Sequence, residues 1–352
     1  MGTSQYKVIG LMSGTSLDGL DLAFCEFELT GNHWSYFIHR AETIAYTASW
    51  KERLSSLENA TALDFVATDI EYGHLLGRMT QEFIIRHGIS PDFIASHGHT
   101  IFHQPGKRIT SQIGRGSAIA AETHLPVVCD FRSLDVALGG QGAPLVPIGD
   151  QVLFNDFDYC LNIGGFANIS YQVEDNRVAF DIGPANIVLN KLANAAGQDY
   201  DRDGEMGRRG DVNAELLAKL NALPYYSMVP PKSLGKEWVL EQMFPIIHSA
   251  NLSTNDLLAT VCEHLALQIA HAAPGSGDKK ILVTGGGALN KFLISRIRMH
   301  AGPEIIIPDL NTINYKEALI FAFLGVLRWR NEVNCLRSVT GAERDSIGGA
   351  IY

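Results

Sequence analysis

The chain has 352 residues, more than one hydrophobic core ordinarily organises, so two domains of comparable mass with a cleft between them are expected. Hydrophobic residues make up 46% and charged residues 19%, which leaves little room for disorder, and a formal charge of −10 argues against a broad nucleic-acid or anionic-membrane surface while leaving room for a local phosphate pocket. Five scattered cysteines (Cys25, Cys129, Cys160, Cys262, Cys335) read as buried thiols of a reducing cytoplasm, and no apolar run reaches the roughly 20 residues that span a bilayer, so small-molecule chemistry away from membrane and nucleic acid is expected.

The stretch VIGLMSGTSLDGLD (Val8 to Asp21), followed by LAFCEFEL, reads as a β-hairpin. Val8, Ile9, Leu11 and Met12 suit a buried strand, and Leu22 to Leu29 alternates as its return. Between them Gly14, Thr15, Ser16, Leu17, Asp18, Gly19, Leu20 and Asp21 offer amides and hydroxyls that form a concavity for phosphate oxygens, and Asp18 and Asp21 can hold a metal through water. That combination predicts a nucleotide phosphate with magnesium. An ordinary hairpin whose glycines serve only the turn is the alternative, and neither the P-loop lysine nor the second glycine of a hydrolase nucleophile elbow is present.

Trp34 to Ala45 suits a third strand, and apolar residues at helical spacing predict a helix over 62–87. Phe93 to Ser96 is a short strand running into SHGHTIFHQP, where His97, His99 and His103 open a zinc reading. No carboxylate stands nearby, and histidines at the carboxyl end of a strand bind a polar ligand equally well, which is the reading preferred. A helix beginning at Ile119 and a strand over 125–129 lead into DFRSLDVALGGQGAPLVP, whose one obvious cation, Arg132, lies among glycines that admit a ligand to the backbone. A surface ion pair is the plain alternative for it. The first half thus reads β-β-β-α-β-α-β.

Tyr159 to Ile163 is a strand, NIGGFANIS turns at Gly164 and Gly165, and Val178 to Asp181 returns, so the hairpin architecture repeats. Asp181 falls at the carboxyl end of this strand beside a helix opened by Gly183, Pro184 and Asn186, where catalytic groups gather in α/β sheets. Beyond Asp199, YDRDGEMGRRG and PPKSLGKEWV suggest an insertion of short helices and loops. A helix from Asn255, a strand over 280–284, TGGGALN with Gly285, Gly286 and Gly287, a helix over 291–299, a strand over 305–307 and a helix over 316–330 complete the chain. Strand, glycines and helix make a nucleotide-type turn, weak as a signal alone because its spacing is not the dinucleotide fingerprint.

GLMSGTSLDGLD, SHGHTIFHQP, DFRSLDVALGGQGAPLVP, NIGGFANIS, FDIGPAN, YDRDG, PKSLGKE and TGGGALN occur in this order, and the chain thereby resembles the bacterial anhydro-N-acetylmuramic acid kinases over almost its whole length. The resemblance implies the actin, hexokinase and sugar kinase superfamily: an α/β protein with two lobes of RNase H-like topology and an interlobe active-site cleft. The repeated hairpin and the long final helix predict a first lobe of residues 1–128 plus 324–352 and a second of 129–323. Residues Gly14 to Asp21 would meet the phosphates of ATP, with Gly164 and Gly165 in a second phosphate motif and Gly285 to Gly287 under the adenosine. Asp18 would help hold Mg2+, Asp181 would be the catalytic base, and His97, Arg132 and Glu317 would line the sugar site. The implied reaction opens 1,6-anhydro-N-acetylmuramic acid with water and phosphorylates its O6, in cytoplasmic peptidoglycan recycling, and a homodimer is compatible with it. Four positions depart from the commonest family pattern: His99 for glutamine, Ile182 for threonine, Ala185 for glycine and Leu234 for threonine. His99 and Ile182 keep open a related kinase of different sugar preference, and a non-catalytic sugar or nucleotide sensor is the rival from another class.

Overall fold

The computed structural model describes residues 3–14 and 17–352. By internal contacts these divide into two compact units, 1–153 with 315–352, and 154–314.

In the first unit β1 (Ser4–Ser13), β2 (Gly19–Thr30) and β3 (His33–Ala45) form an antiparallel meander. β4 (Phe93–Gln104) and β6 (Val127–Cys129) add in parallel on the other side of β1, giving the order β6-β4-β1-β2-β3. β5 (Ile109–Ile113) folds back on β4, and β12 (Ala350–Ile351) closes the far edge against β6. The step from the meander to parallel β4 requires a crossover, supplied by the helix Ala62–His87. Thr61 caps its start by accepting from the Asp64 amide, and Gly88 ends it in the left-handed conformation at φ 59°.

The second unit repeats the plan. β7 (Tyr159–Ile163), β8 (Phe166–Val173) and β9 (Asn176–Pro184) form the meander, and β10 (Lys280–Thr284) and β11 (Glu304–Ile306) add in parallel beside β7, in the order β11-β10-β7-β8-β9. Each sheet therefore has the RNase H-like strand order, the duplicated α/β plan of actin-like ATPases and sugar kinases.

β1 reads as a continuous apolar run because it is covered on both faces. Ile9 and Leu11 join Leu20, Leu22, Tyr72, Leu76 and Phe83 in the core beneath the helix Ala62–His87. On the opposite face the helix Leu310–Trp329 brings Phe323 to 5.4 Å from Phe27 and 5.2 Å from Trp34, ring to ring. In the second unit Leu161, Ile163 and Ile169 pack with Val188, Leu192, Val261, Leu265 and Ile269 from two helices.

Several elements differ from the sequence reading. The unit boundaries fall at 153/154 and 314/315 rather than 128/129 and 323/324. The reason lies in contacts that tie 132–153 to the C-terminal segment: the Asp135 carboxylate accepts from Thr340 Oγ1 at 2.7 Å and from the Gly142 amide at 2.7 Å, and buried Lys316 pairs with Asp150 at 2.7 Å. β4 does not stop at Ser96 but continues through Gln104, because β5 pairs with His99 to Gln104. The three histidines thus stand on a strand. β9 runs on to Pro184, so Asp181 lies inside the strand and not at its end. The final helix starts at Leu310 and breaks at Tyr315 (φ −119°), where the chain enters the first unit.

At Gly10 a Cβ would collide with the Ala318 carbonyl oxygen and crowd Ala322. Both obstacles belong to a helix whose residues 318–324 are buried, so little can give way. Gly10→Ala is expected to lower the unfolding free energy by about 3 kcal/mol, read as a lower midpoint in urea. A change below about 0.5 kcal/mol, the level of a surface substitution, would mean that the helix is free to retreat.

Candidate functional site

In the first unit the β1–β2 pairing runs to Met12 opposite Asp21, β1 ends at Ser13 and β2 begins at Gly19. The Leu17 amide donates to the Gly14 carbonyl at 3.3 Å, and Leu17 itself holds φ 59°, a conformation usually left to glycine. Thr15 and Ser16, assigned to phosphate from the sequence, lie outside the described residues. Asp18 is exposed, whereas Asp21 is partly buried and accepts from Thr43 Oγ1 at 2.6 Å. Burial raises the Asp21 pKa, the Thr43 bond opposes it, and the Asp18 charge raises it further. Two carboxylates that repel in this way beside a loop suit a divalent cation. Gly19 has no room for a side chain because the Ile44 carbonyl of β3 crosses it, and the Leu20 side chain is spent on the core.

The same unit brings His97, Arg132 and Glu317 together. Arg132 donates through Nε to His97 Nε2 at 3.0 Å and through Nη1 to the Gly142 carbonyl at 2.6 Å, with its guanidinium 5.9 Å from the Phe321 ring centroid. Since His97 Nε2 accepts, its proton sits on Nδ1, which donates to the Gly98 carbonyl at 2.9 Å. Burial, reinforced by the Arg132 charge, holds the His97 pKa well below the ordinary range, so the imidazole is neutral. Burial brings the Arg132 pKa down to about 10 against the opposing pull of Glu317, and the guanidinium remains charged at neutral pH. Glu317 is open to solvent yet crowded by protein. Burial raises its pKa, Arg132 lowers it, Asp21 raises it and Lys316 lowers it. A fixed cation with spare N–H groups within electrostatic reach of the Glu317 carboxyl group can bind a polyhydroxylated or carboxylated ligand. His103 stands within electrostatic reach of Arg132 but spends Nδ1 on Thr110 at 3.1 Å. Among the described residues no group of three or more His, Cys, Asp or Glu side chains could enclose a metal.

In the second unit Asp181 pairs across the sheet with Asn168. The segment 225–234 clamps it three times. Its amide donates to the Lys232 carbonyl at 3.2 Å, its carbonyl accepts from Tyr225 Oη at 2.6 Å, and its Oδ2 accepts from the Leu234 amide at 3.0 Å. Burial lifts its carboxyl above the ordinary 3.8, with the Leu234 bond opposing. Leu234 and Tyr225 also line a recess of about 400 Å³ with Met228 and Trp238. Gly164 and Gly165 make the β7–β8 turn, and their carbonyls accept from the amides of Asn186 (3.1 Å), Ala185 (2.8 Å) and Ile187 (3.1 Å), which fixes the start of the helix Asn186–Ala195. Gly285, at φ 78°, abuts Asn162 and Ile163, and Gly287 has no space for a Cβ against Ile163. The two glycine turns therefore meet at the carboxyl ends of neighbouring parallel strands β7 and β10, where open α/β sheets bind ligands.

Of the four family departures, Ile182 and Ala185 are buried in the second core, and His99 is buried in the first unit. Leu234 holds Asp181 through its backbone, which any residue but proline supplies. The sequence reading missed the Tyr225 hydroxyl and the Lys232 carbonyl; PPKSLGKE marked the region, but Tyr225 stands outside that motif.

The chain matches the family model for anhydro-N-acetylmuramic acid kinase over residues 6–352. The anhydro-N-acetylmuramic acid kinase of Picosynechococcus sp. is 34% identical over 98% of this chain and 99% of its own length, and that of Sulfurovum sp. 35% identical over 99% of each. Among solved structures, the activator of the 2-hydroxyisocaproyl-CoA dehydratase from Clostridium difficile with bound ADPNP aligns at a TM-score of 0.44 and 14% identity over 94% of this chain and 98% of that one. A family match from β1 to the last residue, with relatives a third identical from end to end, means that the chain belongs to the anhydro-N-acetylmuramic acid kinase family.

Proposed function

We propose that this kinase opens the 1,6-anhydro bridge of anhydro-N-acetylmuramic acid with water and transfers the γ-phosphoryl group of ATP to the freed O6, giving N-acetylmuramic acid 6-phosphate and ADP, in the cytoplasmic recycling of peptidoglycan. Asp181 takes a proton from the water that attacks C1. The C1–O6 bond breaks, its electron pair goes to O6, and O6 attacks the γ-phosphorus as ADP leaves. No proton need be returned to O6. Arg132, oriented by His97, and Glu317 bind the sugar; residues Gly14 to Asp21 with Gly164 and Gly165 take the phosphates, and Gly285 to Gly287 lie under the adenosine. Asp18 and Asp21 would hold magnesium, which when bound supplies neutralising charge at the phosphates.

The observation that carries this reading is the setting of Asp181. One carboxylate oxygen is fixed by the Leu234 amide, the other has no partner among the described residues, and burial raises its basicity toward working pH. Incubation with 1,6-anhydro-N-acetylmuramic acid, ATP and Mg2+ should yield a reducing 6-phosphosugar by mass spectrometry. Phosphorylation of reducing sugars alone would instead identify a kinase of different specificity.

Asp181→Asn keeps size and shape but cannot accept the proton, so turnover should fall by about 10² or more with ATP affinity nearly intact. Ring opening at the wild-type rate with only phosphate transfer lost would move the base elsewhere. Because Asp181 must be ionised and its pKa is raised, kcat/KM should fall on the acid side with a midpoint above 3.8 that disappears in the variant.

Arg132→Ala should lower kcat/KM for the sugar about ten- to a hundredfold, the scale of a charge-assisted hydrogen bond, while the thermal transition stays cooperative. Unchanged catalytic efficiency would reduce Arg132 to a structural partner of His97 and Gly142.

A further inference from the structure

We infer that His103 reads the free hydroxyl of the sugar: its ring nitrogen Nε2, held beside Arg132, hydrogen-bonds the 4-hydroxyl of 1,6-anhydro-N-acetylmuramic acid while Arg132 takes the neighbouring lactyl carboxylate. This rests on the reading of Arg132 as a sugar ligand. Of the three histidines on β4, His97 is engaged by Arg132 and Gly98, and His99 lies buried with Nδ1 3.0 Å from Ser13 Oγ. His103 stands further along the strand, open to solvent. Its Nδ1 lies 3.1 Å from Thr110 Oγ1, and no hydrogen bond engages its Nε2 among the described residues.

The imidazole is held in place by a polar row. Thr110 stands directly opposite His103 on β5, and Gln112 stands opposite Thr100. Gln112 Nε2 donates to Thr110 Oγ1 at 3.0 Å and to Thr100 Oγ1 at 3.3 Å, so the hydroxyl that meets the imidazole is itself fixed. Thr100 and His103 are three residues apart and on a regular strand would point to opposite faces. The register shift between Thr100 and Phe102 inserts one residue and returns them to the same face, which brings Thr100, Gln112, Thr110 and His103 into one row.

The row ends at the Arg132 site. A Cβ at Gly142 would stand 3.5 Å from His103 Cε1, the ring carbon between the two nitrogens, and the Gly142 carbonyl is the acceptor of Arg132 Nη1 at 2.6 Å. One glycine therefore links imidazole to guanidinium. Burial lowers the His103 pKa and the Arg132 charge lowers it further, so the ring is neutral at neutral pH. A neutral imidazole presents Nε2 as a donor or as an acceptor, according to which nitrogen carries the proton. A hydroxyl satisfies either form, whereas a carboxylate or phosphate satisfies only the donor. In 1,6-anhydro-N-acetylmuramic acid the bridge takes O1 and O6, nitrogen replaces O2 and the lactyl ether takes O3, which leaves the 4-hydroxyl as the free alcohol of the ring. The adjacent carbon, C3, carries the carboxylate that suits a guanidinium fork. Two adjacent substituents thus match two adjacent side chains.

Steady-state rates of ADP release with 1,6-anhydro-N-acetylmuramic acid and with its 4-deoxy analogue, for the wild type and His103→Ala, test the contact. The wild type should lose about five- to tenfold in kcat/KM on the 4-deoxy sugar, the worth of one hydrogen bond. His103→Ala should lose about as much on the parent sugar and nothing further on the analogue, with KM for ATP unchanged. A merely structural histidine would lower both rates together and leave the analogue's penalty intact, which would overturn the assignment. A wild type indifferent to the 4-hydroxyl would overturn it too. Thr110→Val removes the orienting hydroxyl and keeps the imidazole, and it decides by the same comparison if His103→Ala does not fold: a reduced penalty is expected, and a full one overturns the assignment. A wild type that phosphorylates neither anhydro sugar would overturn the kinase reading itself, and the contact with it.

Discussion

Where β1 passes the helix Leu310–Trp329, the backbone of the helix approaches so closely that only glycine fits at position 10, against the Ala318 carbonyl. That contact fixes the register of the helix on the sheet, and with it the residues one and two positions earlier. Lys316 is thereby brought to Asp150 at 2.7 Å in a buried ion pair, and Glu317 comes within electrostatic reach of both Arg132 and Asp21. A buried pair is weak evidence for stability, since desolvation offsets most of its attraction, but breaking one partner is costly. Its consequence here is positional. The register of the helix is thereby set, and the carboxyl group of Glu317 is held within electrostatic reach of the Arg132 guanidinium.

In the first unit Arg132 and Asp135 are each held by more than one neighbour. Arg132 spends two donors on His97 and Gly142, which fixes the plane of the guanidinium. Asp135 is the hub beneath it, accepting from Gly142, Cys335 and Thr340, so the glycine-rich loop and the C-terminal segment share one anchor. Close approach of backbone to ligand asks for glycines, and glycines weaken a loop by freeing its backbone. The Asp135 anchor restores the order that they remove.

Much of this was legible because it is local. The two hairpins show alternation or continuous apolar runs, the helix Ala62–His87 carries a cap at each end and a 3.6-residue stripe, and both glycine turns follow strands. The strand order repeats in both units because each follows the same meander with two parallel additions. What escaped the sequence is long-range. The partners of Ser13 lie 33, 59 and 86 residues away, and Tyr225 is 44 residues from Asp181, so no periodicity joins them. The extension of β4 through His97, Gly98, His99 and Thr100 was hidden because polar residues there are paid for by partners brought in from elsewhere, Ser13 and Arg132 among them.

Asp181 shows how an edge can be put to chemical use. β9 is the outermost strand of its sheet, and a bare edge presents unpaired backbone groups that invite another chain. Here the segment 225–234 lies along it, pairing the Asp181 amide with the Lys232 carbonyl and the Asp181 carbonyl with the Tyr225 hydroxyl. The same cover buries the carboxyl group, and burial is the largest influence raising its pKa. The Leu234 amide opposes that rise but also fixes one oxygen, so the carboxylate gains basicity without losing direction. A segment that protects the edge of the sheet would therefore also prepare the base proposed at Asp181, so that a residue inside a strand, and not on a loop, could fill that role.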